Sequence, residues 1–474
     1  MMNPRMVLFA ALALVASTAF AAEFVPGEVI VKYRSVAKRE RKSVNMMYEH
    51  AGVIQVKRFN GMMSGFEKLT IRDTIKVQDA IAELMANEEV EYAQPNFVLR
   101  ALPIEAAKDE PLPCVPGYDV PGCGPTVQVP CIIPGLPFPP GCEDGGNPGQ
   151  PGNPTPPATR PPVADAPADV NPPMADPRLS DAYGIGKIGA PEAWTNWRGS
   201  KQMIVAVIDT GIDYNHEDLA FNVWRNPNPT NGDIAGYDFV HNDGLPFDDH
   251  SHGTHTSGTV GAVGGNGKGV SGVNQRVSIM GLKFLSAEGS GSTADAIRAI
   301  DYAVDHGAKV LSNSWGGKGD DGNRALFDAI DRAKAKDVLF IAAAGNDGTD
   351  NDAANPSYPA GFDNDNLISV AATDRNDRLA YFSNFGKRTT HLAAPGVGVL
   401  STVAGGGYKS MDGTSMACPH VAGAAALVWS KNPTWTYKQV KNALMSSVDL
   451  VPSLASKTVT GGRLNVLKAL HSME

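Results

Sequence analysis

Short apolar runs recur along the C-terminal part of the chain, from about residue 174 onwards, and amphipathic segments alternate with them. The runs read MIVAVID, SIMGLKFL, KVLSNSW, VLFIAAAG, LISVAAT and THLAAPG, and the segments include TADAIRAIDYAVDHG and ALFDAIDRAKAKD. Strands that are apolar on both faces and separated by helices are typical of a mostly parallel sheet covered on both sides. Residues 174–474 are therefore predicted to form a three-layer α/β domain.

Two further regions precede this domain. In residues 22–102 the segments GEVIVKY, GFEKLTI and FVLRA predict strands and VQDAIAELMANEEVEYA predicts a helix, which together indicate a small α+β domain. Residues 103–173 hold 21 of the 35 prolines and lack a periodic apolar pattern. Such a segment cannot bury a core, so we interpret it as an extended linker.

Residues 1–21 have the pattern of a secretory signal peptide. Arg5 precedes the apolar run Val7–Val15, and the small-residue pattern Ala19-Phe20-Ala21 follows. We expect cleavage after Ala21 and export of the remaining chain. No later apolar run approaches the ~20 residues that a membrane span needs. The sequence thus predicts a secreted protein without a membrane span, which we expect to be a monomer.

Charge and cysteine usage narrow the function further. The formal net charge of -9 argues against nucleic acid as a partner, because binding phosphates requires clustered Lys and Arg. Export permits disulfides, so we expect two local bridges in the linker, in one of three possible connectivities. Zinc is disfavoured there because no two of these cysteines have the tight spacing of a metal knuckle. The four linker cysteines are Cys114, Cys123, Cys131 and Cys142.

Candidate chemistry concentrates at three places. Asp209 ends the run MIVAVID, His252 lies in SHGTHTSGTV, and Ser415 lies in GTSMACPHVAG, where a helical run begins. A serine at a helix start has its hydroxyl beside unpaired backbone N–H groups, which suits a developing oxyanion. We expect Pro419 to be tolerated because it falls within about the first helical turn, where its missing N–H has no partner to lose. A nucleophilic serine also needs a base and an acid that orients the base, and His252 and Asp209 supply these.

Other sites fit the sequence less well. The Asp-Thr-Gly motif at Asp209 is half of an aspartic protease site, but no second copy occurs in the chain. His252 and His255 lack the spacing of the His-Glu-x-x-His zinc signature, and GGNGKGVSG lacks the Ser or Thr that follows the lysine of a phosphate loop. The rival class is a non-catalytic exported binding protein, with the linker as its working part.

The blocks VAVIDTGID, SHGTHTSGTV, IAAAGN and GTSMACPHVAG, in this order, resemble those of the subtilisin-like serine peptidases of the thermitase and fervidolysin type. The resemblance implies that Ser415 is the nucleophile, that His252 is the general base and then acid, and that Asp209 fixes the imidazole tautomer. Asn346 would donate its side-chain amide to the oxyanion, together with the Ser415 N–H. The implied activity is that of an endopeptidase, which hydrolyses protein or peptide substrates through an acyl-enzyme.

The same resemblance implies a substrate cleft in which the peptide lies as an added strand between two edge segments. Ser357 would lie at the base of the specificity pocket. Trp315 and small walls favour an apolar or neutral residue before the scissile bond, whereas Asp347 at the rim could admit Lys or Arg. The matching edge residues are Gly289, Ser290, Gly291, Ser314, Trp315 and Gly316.

Structural calcium is also implied by the resemblance, since Ca²⁺ binds several carboxylate and carbonyl oxygens. The alternative is that Asp176 caps a helix and the other residues form ordinary turns. A second, weaker match lies near Asp238 and Asp243. The main set comprises the side chains of Asp176, Asp218 and Asn266 and the carbonyls of Val263, Lys268 and Val270.

Residues 22–102 resemble an inhibitor-type propeptide, with PGEVIVKY near the start and VEYAQPNFVLRA at the end. This implies an autoprocessed zymogen whose own propeptide is an intramolecular inhibitor. Maturation cleavage is expected near Arg100 to Leu102, although Pro103 would obstruct a cut directly after Leu102. The alternative is a mature start far downstream, between Pro157 and Met174.

Overall fold

The computed structural model describes residues 22–34, 41–59, 64–102, 160–165, 174–318 and 323–472. The predicted signal peptide and the four linker cysteines lie outside these residues. Within the described ranges, no helix is long and apolar enough to cross a membrane.

The helices are α1 (Arg41–His50), α2 (Val77–Met85), α3 (Tyr183–Lys187), α4 (Ala190–Ala193), α5 (His252–Gly261), α6 (Thr293–Asp305), α7 (Arg324–Ala335), α8 (Thr414–Lys431), α9 (Tyr437–Ser446) and α10 (Val466–His471). The strands of the N-terminal unit are β1 (Phe24–Tyr33), β2 (Val53–Arg58), β3 (Phe66–Ile71) and β4 (Val90–Ala101). The C-terminal unit contains β5 (Gly199–Asp209), β6 (Gly236–Asp238), β7 (Arg276–Lys283), β8 (Ser290–Ser292), β9 (Val310–Asn313), β10 (Trp315–Lys318), β11 (Leu339–Ala343), β12 (Ser357–Tyr358), β13 (Leu367–Thr373), β14 (Leu392–Pro395), β15 (Val399–Thr402), β16 (Tyr408–Met411), β17 (Asp449–Leu450) and β18 (Gly462–Arg463).

The N-terminal unit is an antiparallel sheet in the order β4-β1-β3-β2, with α1 and α2 packed on it. Its last helix is shorter than the sequence predicts, because α2 ends at Met85 and the residues from Val90 form β4. A turn separates the two elements, in which the Asn87 side chain accepts a hydrogen bond from the Glu89 N–H. Pro95 lies next to a register shift in the pairing with β1, where a missing N–H is tolerated.

The C-terminal unit is built on a nine-stranded sheet in the order β17-β18-β14-β13-β11-β9-β5-β7-β6. All neighbours are parallel except β17 and β18. Along β5, Val205 and Val207 pack into the core that contains α5 and α8, whereas Ala206 and Ile208 pack into the core that contains α6 and α7. Both faces of the sheet are therefore buried, and the predicted three-layer α/β fold is confirmed.

Strand β4 joins the two units. Beyond its pairing with β1, it continues between β8 and β10 of the C-terminal unit and is antiparallel to both. Strand β12 pairs with the other side of β10. The end of the N-terminal unit thus lies as an added strand on the C-terminal unit, next to the carboxyl ends of the central strands.

Candidate active site

Asp209 is the last residue of β5 and is fully buried. Its Oδ1 accepts hydrogen bonds from His252 Nδ1 and from the Thr210 N–H, each at 2.7 Å. Its Oδ2 lies 3.4 Å from the hydroxyl of Thr256. The carboxylate is thereby fixed against the imidazole, whose Nδ1 carries the proton in this hydrogen bond and whose Nε2 is left free to act as a base.

His252 is the first residue of α5, and Asp248 fixes the start of this helix. The buried Asp248 carboxylate accepts from the N–H groups of Ser251 and Thr254 and from the Thr210 hydroxyl. Burial alone raises the pKa of Asp248, but the hydrogen bonds from Thr254 and the charge of Lys283 hold that pKa below its usual range. Our sequence analysis missed Asp248, although an acidic residue just before a helix is a capping signal.

A buried lysine also supports the acid, and the sequence analysis missed it. Lys283 ends β7, and its Nζ donates to the Thr210 carbonyl at 2.8 Å and to Asp249 Oδ1 at 2.6 Å. Its side chain is fully buried. The lysine therefore fixes the backbone directly after Asp209. A lysine at the end of an apolar strand was the available signal, since a buried charge needs such partners.

Ser415 is the second residue of α8 and is fully buried beneath residue Leu102. Pro419 is the sixth residue of the helix and lies beyond the first turn, contrary to our expectation. It cannot donate to the Ser415 carbonyl four residues earlier. The Ser314 hydroxyl donates to that carbonyl instead, at 2.9 Å. The proline is tolerated because a side chain from the facing segment replaces the missing helical hydrogen bond.

The carbonyl oxygen of Leu102 lies against the serine. Ser415 Oγ is 2.7 Å from this oxygen, and Asn346 Nδ2 donates to the same atom. The Asn346 side chain is held in place because its Oδ1 accepts from the N–H and hydroxyl of Thr414, at 2.9 and 2.8 Å. Gly413 has φ of 147°, and a Cβ there would lie 2.7 Å from the Leu102 oxygen, so only glycine admits this carbonyl.

His252 Nε2 has no hydrogen-bond partner among the described residues, and Ser415 Oγ lies 3.0 Å from the Ser314 carbonyl oxygen. The imidazole and the hydroxyl thus do not share a hydrogen bond in this state. Such bonds are often long before a reacting complex forms.

The predicted edge residues flank the end of β4. Leu99 and Arg100 pair with Gly291 and Ser290 on one side, and Arg100 pairs with Gly316 on the other. The next two N–H groups continue the ladder, since Ala101 donates to the Gly289 carbonyl at 2.8 Å and Leu102 to the Ser314 carbonyl at 3.3 Å.

The side chain of Leu102 lies against Gly316, which also adjoins Ser357. A Cβ on Gly316 would lie 3.5 Å from Leu102 Cδ1 and 3.1 Å from the hydroxyl of Ser357. Trp315 forms no pocket wall, contrary to our expectation: its indole is buried in the core and donates to the Ile208 carbonyl at 2.8 Å. Successive side chains along a strand point to opposite faces, so the Trp315 indole faces the core while its neighbours in β10 face the cleft.

Asp347, which the family resemblance places at the rim of the pocket, is paired with a cation. Lys318 Nζ lies 2.8 Å from Asp347 Oδ2. Lys318 ends β10 and Asp347 follows Asn346, so the ion pair bridges two segments that contact Leu102, β10 near its side chain and Asn346 at its carbonyl. The acidic group at the rim is thus already neutralised within the chain.

Three further reactive groups near the site are buried and inert. His255 Nε2 lies 3.0 Å from the carbonyls of Val399 and Lys409, and burial lowers its pKa to about 3. Burial likewise lowers the pKa of His420 to about 4 and raises the pKa of the Cys418 thiol to about 12. None of the three groups is ionised near neutral pH.

The residues proposed to bind calcium lie together. Asp218 is fully buried and accepts hydrogen bonds from Asn266 Nδ2 at 2.7 Å and from the Val270 N–H at 2.9 Å. The Asp176 carboxylate accepts from the N–H groups of Gly265 and Asn266, and the Val263 N–H donates to the Asp218 carbonyl. The described residues contain no group of three or more His, Cys, Asp or Glu placed to hold a metal ion.

Electrostatics at this group fit a cation. Burial raises the pKa of Asp218 to about 7, with a further contribution from the charge of Asp176. No described lysine or arginine forms an ion pair with Asp218. Lys268, which also belongs to the group, pairs its ammonium with Glu217 at 3.2 Å. Its charge is thereby directed away from the two carboxylates.

At the second acidic pair the partner is an arginine. Arg160 donates to Asp238 Oδ2 at 2.7 Å and to both carboxylate oxygens of Asp243. The weaker calcium match of the sequence is therefore wrong, because a guanidinium occupies the position between the two carboxylates.

An acid, an imidazole and a serine lie at the carboxyl edge of a parallel sheet, beside a cleft that holds an extended peptide; this is the architecture of a serine peptidase. Comparisons with known proteins agree. Residues 200–466 match the subtilase family, and residues 11–96 match the fervidolysin N-terminal prodomain. The chain belongs to the subtilase family and is a subtilisin-like serine endopeptidase with an N-terminal prodomain.

Individual relatives are 38% to 39% identical to this chain over the aligned residues. Thermitase of Thermoactinomyces vulgaris is 39% identical over 297 residues, which are 62% of this chain and 98% of thermitase. Subtilisin DY of Bacillus licheniformis is 39% identical over 265 residues, or 56% of this chain and 90% of that protein. Subtilisin E of Bacillus subtilis is 38% identical over 266 residues, which cover 56% of this chain and 65% of that protein.

Proposed function

We propose that the protein is a secreted serine endopeptidase that hydrolyses peptide bonds through an acyl-enzyme on Ser415, and that it is made as an autoprocessed zymogen. The observation that carries this proposal is the position of the Leu102 carbonyl, 2.7 Å from Ser415 Oγ and bonded to the Asn346 amide. An extended peptide thus lies in the cleft with one carbonyl between a hydroxyl and an amide donor, as a substrate would.

In the proposed mechanism, Ser415 Oγ attacks the carbonyl carbon while His252 Nε2 takes the hydroxyl proton. Asp209 keeps the other imidazole proton on Nδ1 and stabilises the imidazolium that forms. The Asn346 amide stabilises the negative charge on the former carbonyl oxygen. His252 then gives its proton to the leaving amine, and water hydrolyses the ester by the reverse sequence.

The proposed propeptide, residues 22–102, would inhibit by occupying the cleft and by contacting two helix starts. The buried Asn96 side chain accepts from the Ala294 N–H at 2.9 Å, in the first turn of α6. Gln94 accepts from the Ala325 N–H at 2.8 Å, in the first turn of α7. These contacts satisfy helix N–H groups that have no partner within the helix. They would hold the propeptide in place after its bond to the enzyme is cut.

We propose an apolar preference at the residue before the scissile bond. Leu102 occupies that position, and Leu99, three residues earlier, is 2% exposed and packs into the second core. The Lys318–Asp347 ion pair leaves no uncompensated acidic charge at the rim. A substrate lysine or arginine would have to break this pair, so leucine is favoured over a basic residue.

The same geometry supports cleavage after Leu102, which would separate residues 22–102 from the linker, residues 103–173, and the peptidase domain, residues 174–474. The residue after this bond is Pro103. A proline nitrogen carries a ring carbon in place of hydrogen, which restricts how the leaving nitrogen approaches His252. We therefore expect self-cleavage to be slow. The signal peptide and the linker disulfides remain predictions.

Calcium would be held by Asp176, Asp218 and Asn266, with the carbonyls of Val263, Lys268 and Val270. A bound Ca²⁺ would supply positive charge to two buried carboxylates and fix the loop that carries them. Its removal by a chelator should shorten the thermal inactivation half-life, because a ligand at 100 times its Kd contributes about 2.7 kcal/mol. Asp218→Asn should show the short half-life with and without calcium, whereas an unchanged response to the chelator would contradict this site.

A fluorophosphonate probe tests the central proposal. The purified, refolded precursor and its Ser415→Ala variant are incubated with the probe and then analysed by intact mass and N-terminal sequencing. Labelling and self-cleavage in the wild type only would support the mechanism and give the mature terminus. A folded wild-type protein that stays unlabelled after losing residues 22–102 would instead favour the non-catalytic binding protein.

A further inference from the structure

A short piece of the linker, residues 160–165, lies on the surface of the C-terminal unit; we call it the strap. Four main-chain groups of the strap bind side chains of the domain. Asn215 Nδ2 donates to the Pro162 carbonyl at 2.9 Å, and Asn215 Oδ1 accepts from the Ala164 N–H at 2.9 Å. The Tyr214 hydroxyl donates to the Pro161 carbonyl, and Arg225 donates to the Ala164 carbonyl at 2.8 Å.

The first residue of the strap makes the most contacts. The Arg160 guanidinium bonds to Asp238, to both oxygens of Asp243, and to the Leu245 carbonyl at 2.9 Å. The Asp238 side chain is fully buried, and its other side-chain partner is His241, 2.8 Å away. Two carboxylates and a carbonyl are also the oxygen ligands that a divalent cation takes. Here an arginine from the chain itself provides the positive charge.

The residues that bind Arg160 lead directly into the segment that carries the imidazole of His252. From Leu245 the chain runs to Pro246, whose carbonyl accepts from the Ile212 N–H at 2.9 Å, and then to Asp248, which caps the helix of His252. Arg160 therefore fixes the start of a segment whose end positions His252. The fork of the guanidinium matches the two carboxylates in a way that a lysine cannot.

We propose that this surface is a docking site for the chain's own residues 160–165 and that this strap stays on the mature enzyme. Arg160 provides there the positive charge that a structural cation would otherwise supply. The consequence for maturation rests on the proposed function: the final cut must lie before Arg160, within residues 102–159. A mature protein beginning after residue 165 would leave the buried Asp238 without its arginine partner. Breaking a buried ion pair by removing one partner is strongly destabilising.

Stability of the inactive precursor tests the docking site without relying on catalysis. In the Ser415→Ala background, Arg160→Ala should lower the midpoint of thermal unfolding of the C-terminal unit by about 5 °C. The unfolding midpoint of Arg160→Lys should fall between those of the parent and Arg160→Ala, because lysine retains the positive charge but not the forked guanidinium. The matched control is Arg378→Ala, which removes an ion pair between a largely exposed arginine and Asp374. Equal midpoints for Arg160→Ala and Arg378→Ala would overturn the proposal.

Two further measurements complete the test. If Arg160→Ala fails to fold, Asn215→Ala removes two strap contacts while leaving the charges in place, and it should lower the midpoint by a smaller amount; no change would overturn the docking site. N-terminal sequencing of the active wild type should find a mature terminus at or before residue 160. A terminus beyond residue 165 would overturn retention of the strap, whereas absence of any self-cleavage would refute the proposed autoprocessing and leave the unfolding result valid.

Discussion

Two segments from the N-terminal half of the chain lie on the C-terminal unit, and different groups hold them. Residues 98–102 lie in the cleft, where main-chain hydrogen bonds to β8 and β10 hold them and the side chains of Leu99, Ala101 and Leu102 pack on the C-terminal unit. The strap also binds through main-chain groups, but its first residue in addition inserts a charged side chain between two carboxylates. Main-chain pairing accepts many sequences, whereas a guanidinium between two carboxylates accepts one residue type.

This difference matches the two roles proposed for these segments. A segment that gives way to substrates must be replaceable by other extended peptides, and main-chain pairing allows that. A segment that stabilises the mature enzyme must resist exchange, and a partly buried ion pair within the same chain does so. The experiments below alter one region at a time and ask whether the other responds.

Removing the amide from the cleft should have the largest effect. Asn346→Ala should lower kcat about 100- to 1,000-fold with little change in KM, because the amide acts on charge that develops in the transition state. Steady-state kinetics with a peptide substrate measure this. Asn364→Ala, a buried asparagine that donates to the Phe327 carbonyl, serves as the matched control and should retain its kcat. A change in KM alone would contradict the assigned role.

Loosening the propeptide should have the next largest effect. Gln94→Ala and Asn96→Ala each remove a cap from a helix start, at a cost of about 1 kcal/mol each. Together they should raise the concentration of processed propeptide needed for half-inhibition more than tenfold and shorten the lag before activity appears. Gln78→Ala, on the exposed face of α2, should leave both unchanged. An unaltered lag in the double variant would show that the strand in the cleft alone determines inhibition.

The sequence indicated the candidate catalytic residues but not the residues that support them, for a physical reason. Asp209, His252, Asn346 and Ser415 each stand in a short contiguous block of sequence, so a local pattern was enough to propose them. Asp248 and Lys283 support the site through contacts that link different strands and loops, and no local pattern reports such pairs.

The lack of long-range contacts in a local pattern also explains two wrong predictions, the calcium site at Asp238 and Asp243 and the pocket wall at Trp315. The pattern at Asp238 and Asp243 indicated a cation but could not reveal that Arg160, 78 residues before Asp238, provides the charge. The direction of the Trp315 side chain depends on strand pairing with β4 and β12, which local sequence does not specify.

Breaking the ion pair at the pocket rim should change specificity moderately. Lys318→Ala leaves Asp347 without its lysine partner. The kcat/KM for a peptide with Lys before the scissile bond should then rise about fivefold relative to that for the peptide with Leu. The effect is limited because an exposed ion pair contributes at most about 1 kcal/mol. Competition between the two peptides measures the ratio. Lys336→Ala, at an exposed position outside the cleft, is the control. If the ratio stays constant, the rim pair does not exclude basic residues.

Acidification should produce the smallest of these effects, a loss of the stability that Arg160 contributes through the strap. Burial alone raises the pKa of Asp243, but the hydrogen bond and charge of Arg160 outweigh it and hold that pKa below its usual range. A carboxyl with a lowered pKa stabilises the fold above its unfolded pKa of about 3.9 and loses this contribution as the pH falls through the folded value. In the Ser415→Ala background, the difference in unfolding midpoint between Arg160 and Arg160→Ala should therefore be constant from pH 8 to pH 5 and shrink below about pH 4. The cleft segment, whose main-chain contacts with β8 and β10 are neutral, should show no matching change. A difference that persists at pH 3 would mean that shape rather than charge holds the strap.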